Sequence, residues 1–204
     1  MDEPDGVGIL EDGGAQDSPR ERRHPPRLPR MTDLGPVAWP PTPLRTERLV
    51  LREPAADDRA ALVELMASPE VHAFLGGARS REEVERALPT EPARRPGLFV
   101  VDFDGATIGI VTLDRRDPER PGRGGGAIEL GYLLLPDVWG RGFAVEACAA
   151  ALRWLDDVLP GEPVVLTTQT ANSRSMRVAT KLGFVELDRF EEFGAEQWSG
   201  IRRA

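Results

Sequence analysis

The residues most suggestive of chemistry form a glycine turn between a predicted strand and a predicted helix. Residues 127–135 have the apolar pattern of a strand, and an amphipathic helical pattern follows over residues 143–158. The first N–H groups of a helix lack intrahelical acceptors and lie at the positive end of its dipole. Glycines let an anion approach that backbone, so the sequence predicts a phosphate or pyrophosphate site. The predicted binding residues are Gly140, Arg141, Gly142, Phe143 and Ala144.

The residues around this turn exclude two common phosphate-binding motifs. A P-loop requires Lys followed by Ser or Thr after its glycines, whereas Phe143 and Ala144 occupy those positions here. A dinucleotide fingerprint belongs to the first βαβ unit of a chain, whereas three predicted strands and three predicted helices precede the strand that leads into this turn. The turn is therefore either a different class of phosphate site or an ordinary strand-to-helix connection.

The elements that would position the turn follow from local patterns. Ser80 with Glu83 predicts the capping box of a helix, and one of the acids at residues 57–58 could cap the first helix. Asp104 and Gly105 lie between two apolar runs, which predicts a β-hairpin. The element order is β, helices, β-hairpin, β, α, β, α, β, with a further strand near the end. This order indicates an α+β, or mixed α/β, fold.

The charge and composition of the chain exclude several function classes. The 204 residues include 26 lysines and arginines against 34 aspartates and glutamates, so the net charge is −8. Such a chain is a poor candidate for binding nucleic acid, and no nucleic-acid partner is expected. The single cysteine, Cys148, excludes an intramolecular disulfide and a cysteine-based zinc site, and no metal is expected. No apolar run approaches the roughly 18 residues of a membrane span, so we expect a cytoplasmic protein without a membrane partner.

The first 43 residues differ in composition from the rest of the chain. They contain nine of the 19 prolines and few large apolar side chains, so they cannot bury enough surface to offset the entropy of ordering. We predict a disordered extension over residues 1–43, rich in Pro, Arg and Gly, and a folded domain over residues 44–204. The arginine cluster of the extension is either a solvated tail, which we favour, or a docking site for an acidic partner. Met31 is an alternative start of the chain.

Four segments of the sequence resemble the GCN5-related N-acetyltransferase (GNAT) superfamily. Residues 139–144, WGRGFA, are similar to the family signature Arg/Gln-x-x-Gly-x-Gly/Ala, with Trp in the first position. Three further segments agree in order: TERLVLR at residues 46–52, ELGY at 129–132 and NSRSMRVATKLGF at 172–184. The Trp variant resembles the branch that contains the ribosomal-protein N-terminal acetyltransferases of the RimJ and RimL type. The resemblance covers residues 44–190, and the extension has no counterpart in it.

The resemblance implies a fold and a cofactor. The fold would be a central mixed, mostly antiparallel sheet flanked by helices, with its central strands splayed apart. Acetyl-CoA would bind between the strands predicted at residues 127–135 and 164–170, with its pyrophosphate on the glycine turn, as the helix dipole independently indicates. The implied contacts of its pantetheine arm are the residues Leu133, Leu134, Leu135 and Asn172.

Glu129 and Glu192 are the candidate bases for an acetyl transfer to an amine. A base is needed because an ammonium with a pKa of about 10.4 keeps its proton near neutral pH. By alternation Glu129 lies on the same strand face as Leu133, whose backbone would meet the thioester arm, so it is the first candidate. Glu192 is the second, because acids in this region serve the RimL-like branch. Each could instead be an ordinary surface carboxylate.

Ser175 is the candidate proton donor for the departing thiolate. Many family members use a tyrosine at the position of Ala179, so the usual donor is missing here. The RimJ/RimL-like branch instead implies the serine of Asn-x-x-Ser, which is Ser175. Alternatively, Asn172 is a helix cap and Ser175 merely follows it, although a cap would also hold Ser175 at the helix start. Tyr132 is expected on the opposite strand face from Glu129, within the core.

Taken together, these residues predict an N-acetyltransferase that transfers an acetyl group directly from acetyl-CoA to a primary amine. The amine belongs to a protein N-terminus or to a small molecule, and the sequence does not decide between them. One rival is a non-catalytic acyl-CoA-binding or regulatory module, which the missing tyrosine favours. Another is nucleic-acid binding through the arginine-rich tail. The oligomeric state is open, with a homodimer as one option.

Overall fold

The computed structural model describes residues 34–92, 94–116, 124–192 and 194–203. Within these residues the chain forms an eight-stranded sheet and four α-helices. The strands are Leu44–Arg45 (β1), Leu49–Arg52 (β2), Leu98–Phe103 (β3), Ala106–Arg115 (β4), Ile128–Leu134 (β5), Val164–Gln169 (β6), Val185–Glu192 (β7) and Ala195–Arg202 (β8). The helices are Arg59–Ala67 (α1), Arg81–Ala87 (α2), Phe143–Val158 (α3) and Ser173–Lys181 (α4).

The sheet is mixed and mostly antiparallel, as predicted. Its strand order is β1-β2-β3-β4-β5-β6-β8-β7, and β5 and β6 form its parallel pair. These two strands pair only at their first residues, Ile128 with Val164 and Glu129 with Val165. Strand β5 then continues to Leu134 along a diverging path. The prediction of splayed central strands is confirmed, and a gap opens between β5 and β6.

Two local signals of the sequence produce the expected structure. At the start of α2, the Ser80 hydroxyl accepts the Glu83 N–H at 3.2 Å, and the Glu83 carboxylate accepts the Ser80 N–H at 3.0 Å. This capping box satisfies donors that the helix itself leaves unpaired. Between β3 and β4, Asp104 and Gly105 have positive φ angles of 53° and 81°, as a two-residue hairpin turn requires.

Asp58 stands at the start of α1, but its side chain does not cap the helix as the sequence suggests. Its carboxylate accepts both terminal guanidinium nitrogens of Arg52 at 2.8 Å, the Ala55 N–H at 2.7 Å and the Thr107 hydroxyl. Burial opposes ionisation, but these hydrogen bonds, that from Arg52 foremost, hold the pKa of Asp58 below its usual value. The residue therefore connects β2 and β4 to the first helix.

Helices cover both faces of the sheet. On one face, α3 buries Phe143, Cys148 and Leu155 in the main core. On the other face, α1 buries Leu62 and Leu65 in a smaller cluster. Burial raises the pKa of the Cys148 thiol, which fits a packing residue. Strand β5 and the turn that follows it are thus supported from both sides.

The packed chain begins earlier than the predicted domain boundary at residue 44. Leu34 is only 2% exposed and belongs to the main core. The ring of Trp39 packs edge-on against Phe99 and Trp154, with centroids 5.1 and 5.8 Å away. The expectation of disorder is therefore wrong for residues 34–43, because a few apolar side chains suffice when the domain supplies the surface they cover. The rest of the predicted extension, including Met31 and the arginine cluster, lies outside the described residues.

The described ranges lack both membrane-spanning helices and metal-binding groups. They contain no helix that is both long enough and apolar enough to cross a bilayer. The same ranges contain no group of three or more His, Cys, Asp and Glu side chains arranged to hold a metal ion.

Candidate active site

The predicted glycine turn has the geometry of an anion site. Gly140 and Gly142 adopt φ angles of +78° and +83°, a left-handed conformation that favours glycine. Gly142 is the N-cap of α3, and among the described residues no side chain caps the first turn of this helix. A Cβ added at Gly140 would meet nothing within 4 Å, so the turn is open on that side. The first amides of α3 are therefore presented to an external acceptor.

Two arginines surround this turn, although only one of them was predicted. The guanidinium carbon of Arg141 lies 4.9 Å from the ring centre of Phe103 and 4.7 Å from that of Phe143. Arg48 lies 4.5 Å from the same Phe143 ring and donates to the Arg141 carbonyl at 3.0 Å. Arg48 belongs to the TERLVLR segment, but no spacing in the sequence relates it to a turn so distant along the chain. The two cations add positive charge beside the helix start.

Glu146 holds Arg48 in place. Its carboxylate accepts the Arg48 backbone N–H at 3.0 Å, the Arg48 Nε at 2.8 Å and the Thr46 hydroxyl at 2.5 Å. Partial burial acts against ionisation, but the hydrogen bonds from Thr46 and Arg48 outweigh it and lower the pKa of Glu146. The turn between β1 and β2 is thereby connected to α3 beside the glycine turn.

The backbone of β5 offers hydrogen-bonding groups to the gap, but not at all the predicted residues. The Leu135 N–H donates to the Ile108 carbonyl of β4 at 2.9 Å. Alternate residues of a strand direct their backbone groups to opposite neighbours, so those of Leu133 also face β4. The backbone groups of Tyr132 and Leu134 face the gap instead. Of the three residues expected to meet a pantetheine arm, only Leu134 therefore directs its backbone into the gap, whereas Leu133 and Leu135 pair with β4.

Ser175 lies beside the gap at the start of α4. Asn172 caps this helix, because its side-chain oxygen accepts the Ser175 N–H at 3.1 Å. Ser175 is 9% exposed, and its hydroxyl oxygen accepts the Tyr132 O–H at 3.0 Å. Tyr132 was expected to be a core residue, and its ring does pack against the core, but its hydroxyl reaches the candidate donor. Strand alternation gave the face of Tyr132 and could not show which helix covers it.

Glu129 lies at the closed end of the gap, where β5 still pairs with β6. Its carboxylate is 3.9 Å from Nη1 of Arg116, whose side chain is 0% exposed, while 21% of the Glu129 side chain is exposed. The same guanidinium nitrogen donates to the Thr167 hydroxyl at 3.0 Å. A buried guanidinium requires such partners, so Glu129 has a structural role as its counter-ion. The exposed part of the carboxylate still faces solvent.

Glu192 lies far from this position. It ends β7, which is separated from β5 by β6 and β8, and it pairs with Ala195. The adjoining part of β8 pairs with the C-terminal end of β6, through Gln197 and Gln169. Glu129 thus lies where β6 begins, whereas Glu192 lies towards the end of β6 and two strands away from it, so the structure does not bring the two candidate bases together.

Trp139 and Arg174 connect the segments that follow the two diverging strands. The Trp139 indole N–H donates to the Leu134 carbonyl at 2.8 Å. The Arg174 guanidinium, from the first turn of α4, lies 4.8 Å from the centre of the Trp139 ring. This cation–π contact spans the open end of the gap. The sequence placed Trp139 in a motif but gave no indication of its contact with Arg174.

Comparison with known proteins decides the family. The family model described as "Acetyltransferase (GNAT) domain" matches residues 48–185, more than half of the chain. The chain belongs to the GNAT family. The predicted family is confirmed, and the chain is an acetyltransferase of that family. An uncharacterised N-acetyltransferase, p20 of Bacillus licheniformis, is 27% identical over 150 residues, which cover 69% of this chain and 81% of the relative.

Solved GNAT structures show the same fold. The spermidine N-acetyltransferase of Vibrio cholerae, solved with CoA and spermine, superposes with a TM-score of 0.61 at 19% identity, covering 78% of this chain and 96% of that one. The Salmonella typhimurium enzyme that modifies the N-terminal serine of ribosomal protein L7/L12 superposes with a TM-score of 0.62 at 15% identity, covering 80% and 99%. At these identities the likeness establishes the fold alone.

Proposed function

We propose that this GNAT protein transfers an acetyl group from acetyl-CoA directly to a primary amine. The observation that carries the proposal is the glycine-capped start of α3, whose free amides lie beside the gap between β5 and β6. A bare helix start next to an open strand edge offers a phosphate site and a strand-pairing site in one continuous groove. Acetyl-CoA carries a pyrophosphate and an amide-containing arm, and it fits both.

The binding residues follow from the geometry. The pyrophosphate would accept the amides of residues 142–144, with Arg48 and Arg141 as nearby cations. The arm would lie along β5 and use the backbone groups of Tyr132 and Leu134. Because the Leu134 carbonyl already accepts the Trp139 indole, the N–H of Leu134 and both groups of Tyr132 are the main contacts. Asn172 would act indirectly, as the cap that holds the start of α4.

The transfer chemistry requires a base and a donor to the leaving sulfur. We assign the base to Glu129, which lies where the strands begin to part and retains an exposed edge. We assign the donor to Ser175, whose hydroxyl lies beside the gap on the first turn of α4. The thioester supplies an activated carbonyl carbon for attack by the amine. Glu192 receives no role, because β6 and β8 separate its strand from β5.

The proposed acceptor class is a primary amine. The Vibrio cholerae relative is named for spermidine and holds spermine, and the Salmonella relative modifies an N-terminal serine. A small polyamine and a protein α-amine are therefore the two acceptor types to compare. A second candidate function, a non-catalytic acyl-CoA-binding module, is favoured by Ala179, which occupies the position of the usual family tyrosine.

The test uses the purified full-length chain. Calorimetry with CoA measures binding, and thiol release from acetyl-CoA measures turnover with spermidine, free lysine and a peptide with an N-terminal serine. We expect CoA binding together with acceptor-dependent thiol release. Binding without release by any of the amines would support the module, and an absence of CoA binding would overturn both functions.

A further inference from the structure

We propose that Tyr132 is a positioning residue for Ser175, which it orients so that the serine hydroxyl hydrogen points at the sulfur leaving the thioester. This inference rests on the proposed function and adds to it a second hydroxyl, supplied by β5 instead of α4. Tyr132 is the single tyrosine of the chain. Tyr132 lies on β5, beside the gap, whereas the usual family tyrosine lies on a helix, at the position that Ala179 occupies here.

The first argument is the direction of the hydrogen bond. The Tyr132 and Ser175 hydroxyl oxygens are hydrogen-bonded at 3.0 Å. We assign the phenol, the more acidic of the two hydroxyls, as the donor, so that one lone pair of the Ser175 oxygen is occupied. The Ser175 hydrogen must therefore point away from the tyrosine. The Ser175 backbone is fixed in turn, because its N–H donates to Asn172 at 3.1 Å. Two contacts thus restrict both the position and the rotation of the donor hydroxyl.

The second argument is the protonation state of the tyrosine. Burial raises the pKa of Tyr132 to about 12. The phenol therefore keeps its hydrogen at neutral pH and remains a donor to Ser175. A tyrosine held in this state polarises the serine hydroxyl without itself losing a proton.

The third argument is the location of the pair. Tyr132 is a gap-facing residue of β5 by its backbone, and Ser175 lies on the helix that follows β6. Their hydrogen bond joins the two sides of the gap along which the arm would lie. We place the thioester sulfur next to this hydrogen bond, within reach of the Ser175 hydroxyl.

The transfer step balances with this assignment. The amine nitrogen forms a bond to the carbonyl carbon, the carbon–sulfur bond breaks, and its electron pair stays on the sulfur. Glu129 receives the proton of the amine and returns it to solvent. Ser175 donates a hydrogen bond to the thiolate, which takes its final proton from water, so Tyr132 and Ser175 end as they began.

The test is a double-mutant cycle on turnover. Tyr132→Phe keeps the packed ring and removes only the hydroxyl, and we expect kcat to fall about 10-fold with the Kd for CoA unchanged. Ser175→Ala removes the donor, and we expect a loss of about 100-fold. The double variant should match Ser175→Ala alone, because Tyr132 acts through Ser175. Independent losses that multiply, or a normal kcat in Tyr132→Phe, would overturn the inference.

A control and a second measurement keep the test independent of folding. Ser199→Ala removes another buried hydroxyl, in β8, and should leave kcat unchanged.

Replacing the single tyrosine with 3-fluorotyrosine gives one ¹⁹F resonance in the otherwise unaltered chain. We expect that resonance to shift when CoA is added, and a resonance that stays fixed at saturating CoA would contradict the location assigned to Tyr132. If calorimetry shows no CoA binding, the proposed function fails first. Turnover with a normal Tyr132→Phe variant defeats only this inference.

Discussion

Helices α2 and α3 begin in contrasting ways. At α2, Ser80 and Glu83 exchange hydrogen bonds with each other's backbone, so the amides of both residues are satisfied within the chain. At α3 the cap is Gly142, which has no side chain, and the first amides receive no side-chain acceptor. The same chain thus caps one helix and leaves another bare. Under the proposed function, the start of α3 serves a ligand, whereas the start of α2 serves stability.

Helix α4 lies between these two cases. Asn172 caps it as Ser80 caps α2, but the amide it binds belongs to Ser175, the candidate donor. Its cap therefore has a stabilising role and a functional one. Four substitutions separate the three helix starts, and their expected effects decrease from α3 to α2.

The largest effect is expected for Gly142→Asp. The new carboxylate would accept the free amides of α3 and repel a phosphate, and we expect CoA to bind about 100-fold more weakly in calorimetry. Gly161→Asp is the matched control, because the φ of Gly161, +80°, is close to the +83° of Gly142, and a Cβ at Gly161 would meet nothing within 4 Å, whereas one at Gly142 would meet only the Arg48 side chain, at 3.6 Å. The control carries the same strain and charge, so CoA binding should be unchanged. Equal affinities for both variants would remove the turn from the site.

A smaller loss of affinity is expected for Arg48→Ala. This change removes a cation from the helix start and takes away the positive charge that pairs with the Glu146 carboxylate. CoA should therefore bind about 10-fold more weakly. The loss should shrink at high salt. Arg189→Ala removes an exposed arginine paired with Glu186 on β7 and should not alter binding. A wild-type Kd for Arg48→Ala would show that Arg48 only supports the fold.

Asn172→Ala should affect both stability and turnover. Loss of the cap should lower the Tm by about 2–4 °C, and the freed Ser175 backbone should lower kcat several-fold with the Kd for CoA unchanged. Asn172→Asp keeps the acceptor oxygen and should recover most of both losses. A lower Tm with a normal kcat would mean that the cap of α4 stabilises the protein and has no role in turnover.

The smallest effect is expected for Ser80→Ala. Loss of one half of the capping box should lower the Tm by about 2–4 °C in thermal unfolding, because the Glu83 N–H loses its acceptor. CoA binding and kcat should both remain at wild-type values, and Ser80→Asp should restore the Tm. A change in CoA affinity would contradict the division between a stabilising and a ligand-binding helix start.

Local patterns made much of the fold and the glycine turn predictable. The capping box at Ser80 and the hairpin at Asp104 depend on residues that are neighbours in sequence. The positive φ of Gly142 is also a local requirement, and the glycine turn on which the predicted phosphate site rests is present in the structure. Ser175 and Asn172 were recognised through one motif whose spacing is that of a helix start.

Contacts between distant segments could not be predicted in the same way. The pairing of Leu135 with β4 depends on a register that β5 alone does not encode, and it excludes a residue expected to meet the arm. Arg48 reaches the glycine turn only because β2 packs beside α3. Asp58 was a possible helix cap, but a neighbouring strand brings Arg52 and Thr107 to it. Each of these contacts depends on which element packs against the residue in the folded chain, and local secondary-structure propensity does not determine that.

The packing of Trp39 has a practical consequence for anyone who trims this protein. An expression boundary drawn at residue 44 would delete the indole that meets Phe99 and Trp154 edge-on. Two aromatic surfaces would then face water, which invites aggregation and removes favourable ring contacts of about 0.5–1.5 kcal/mol each. Shortened versions for crystallisation or acceptor screening should therefore retain Leu34 and everything after it.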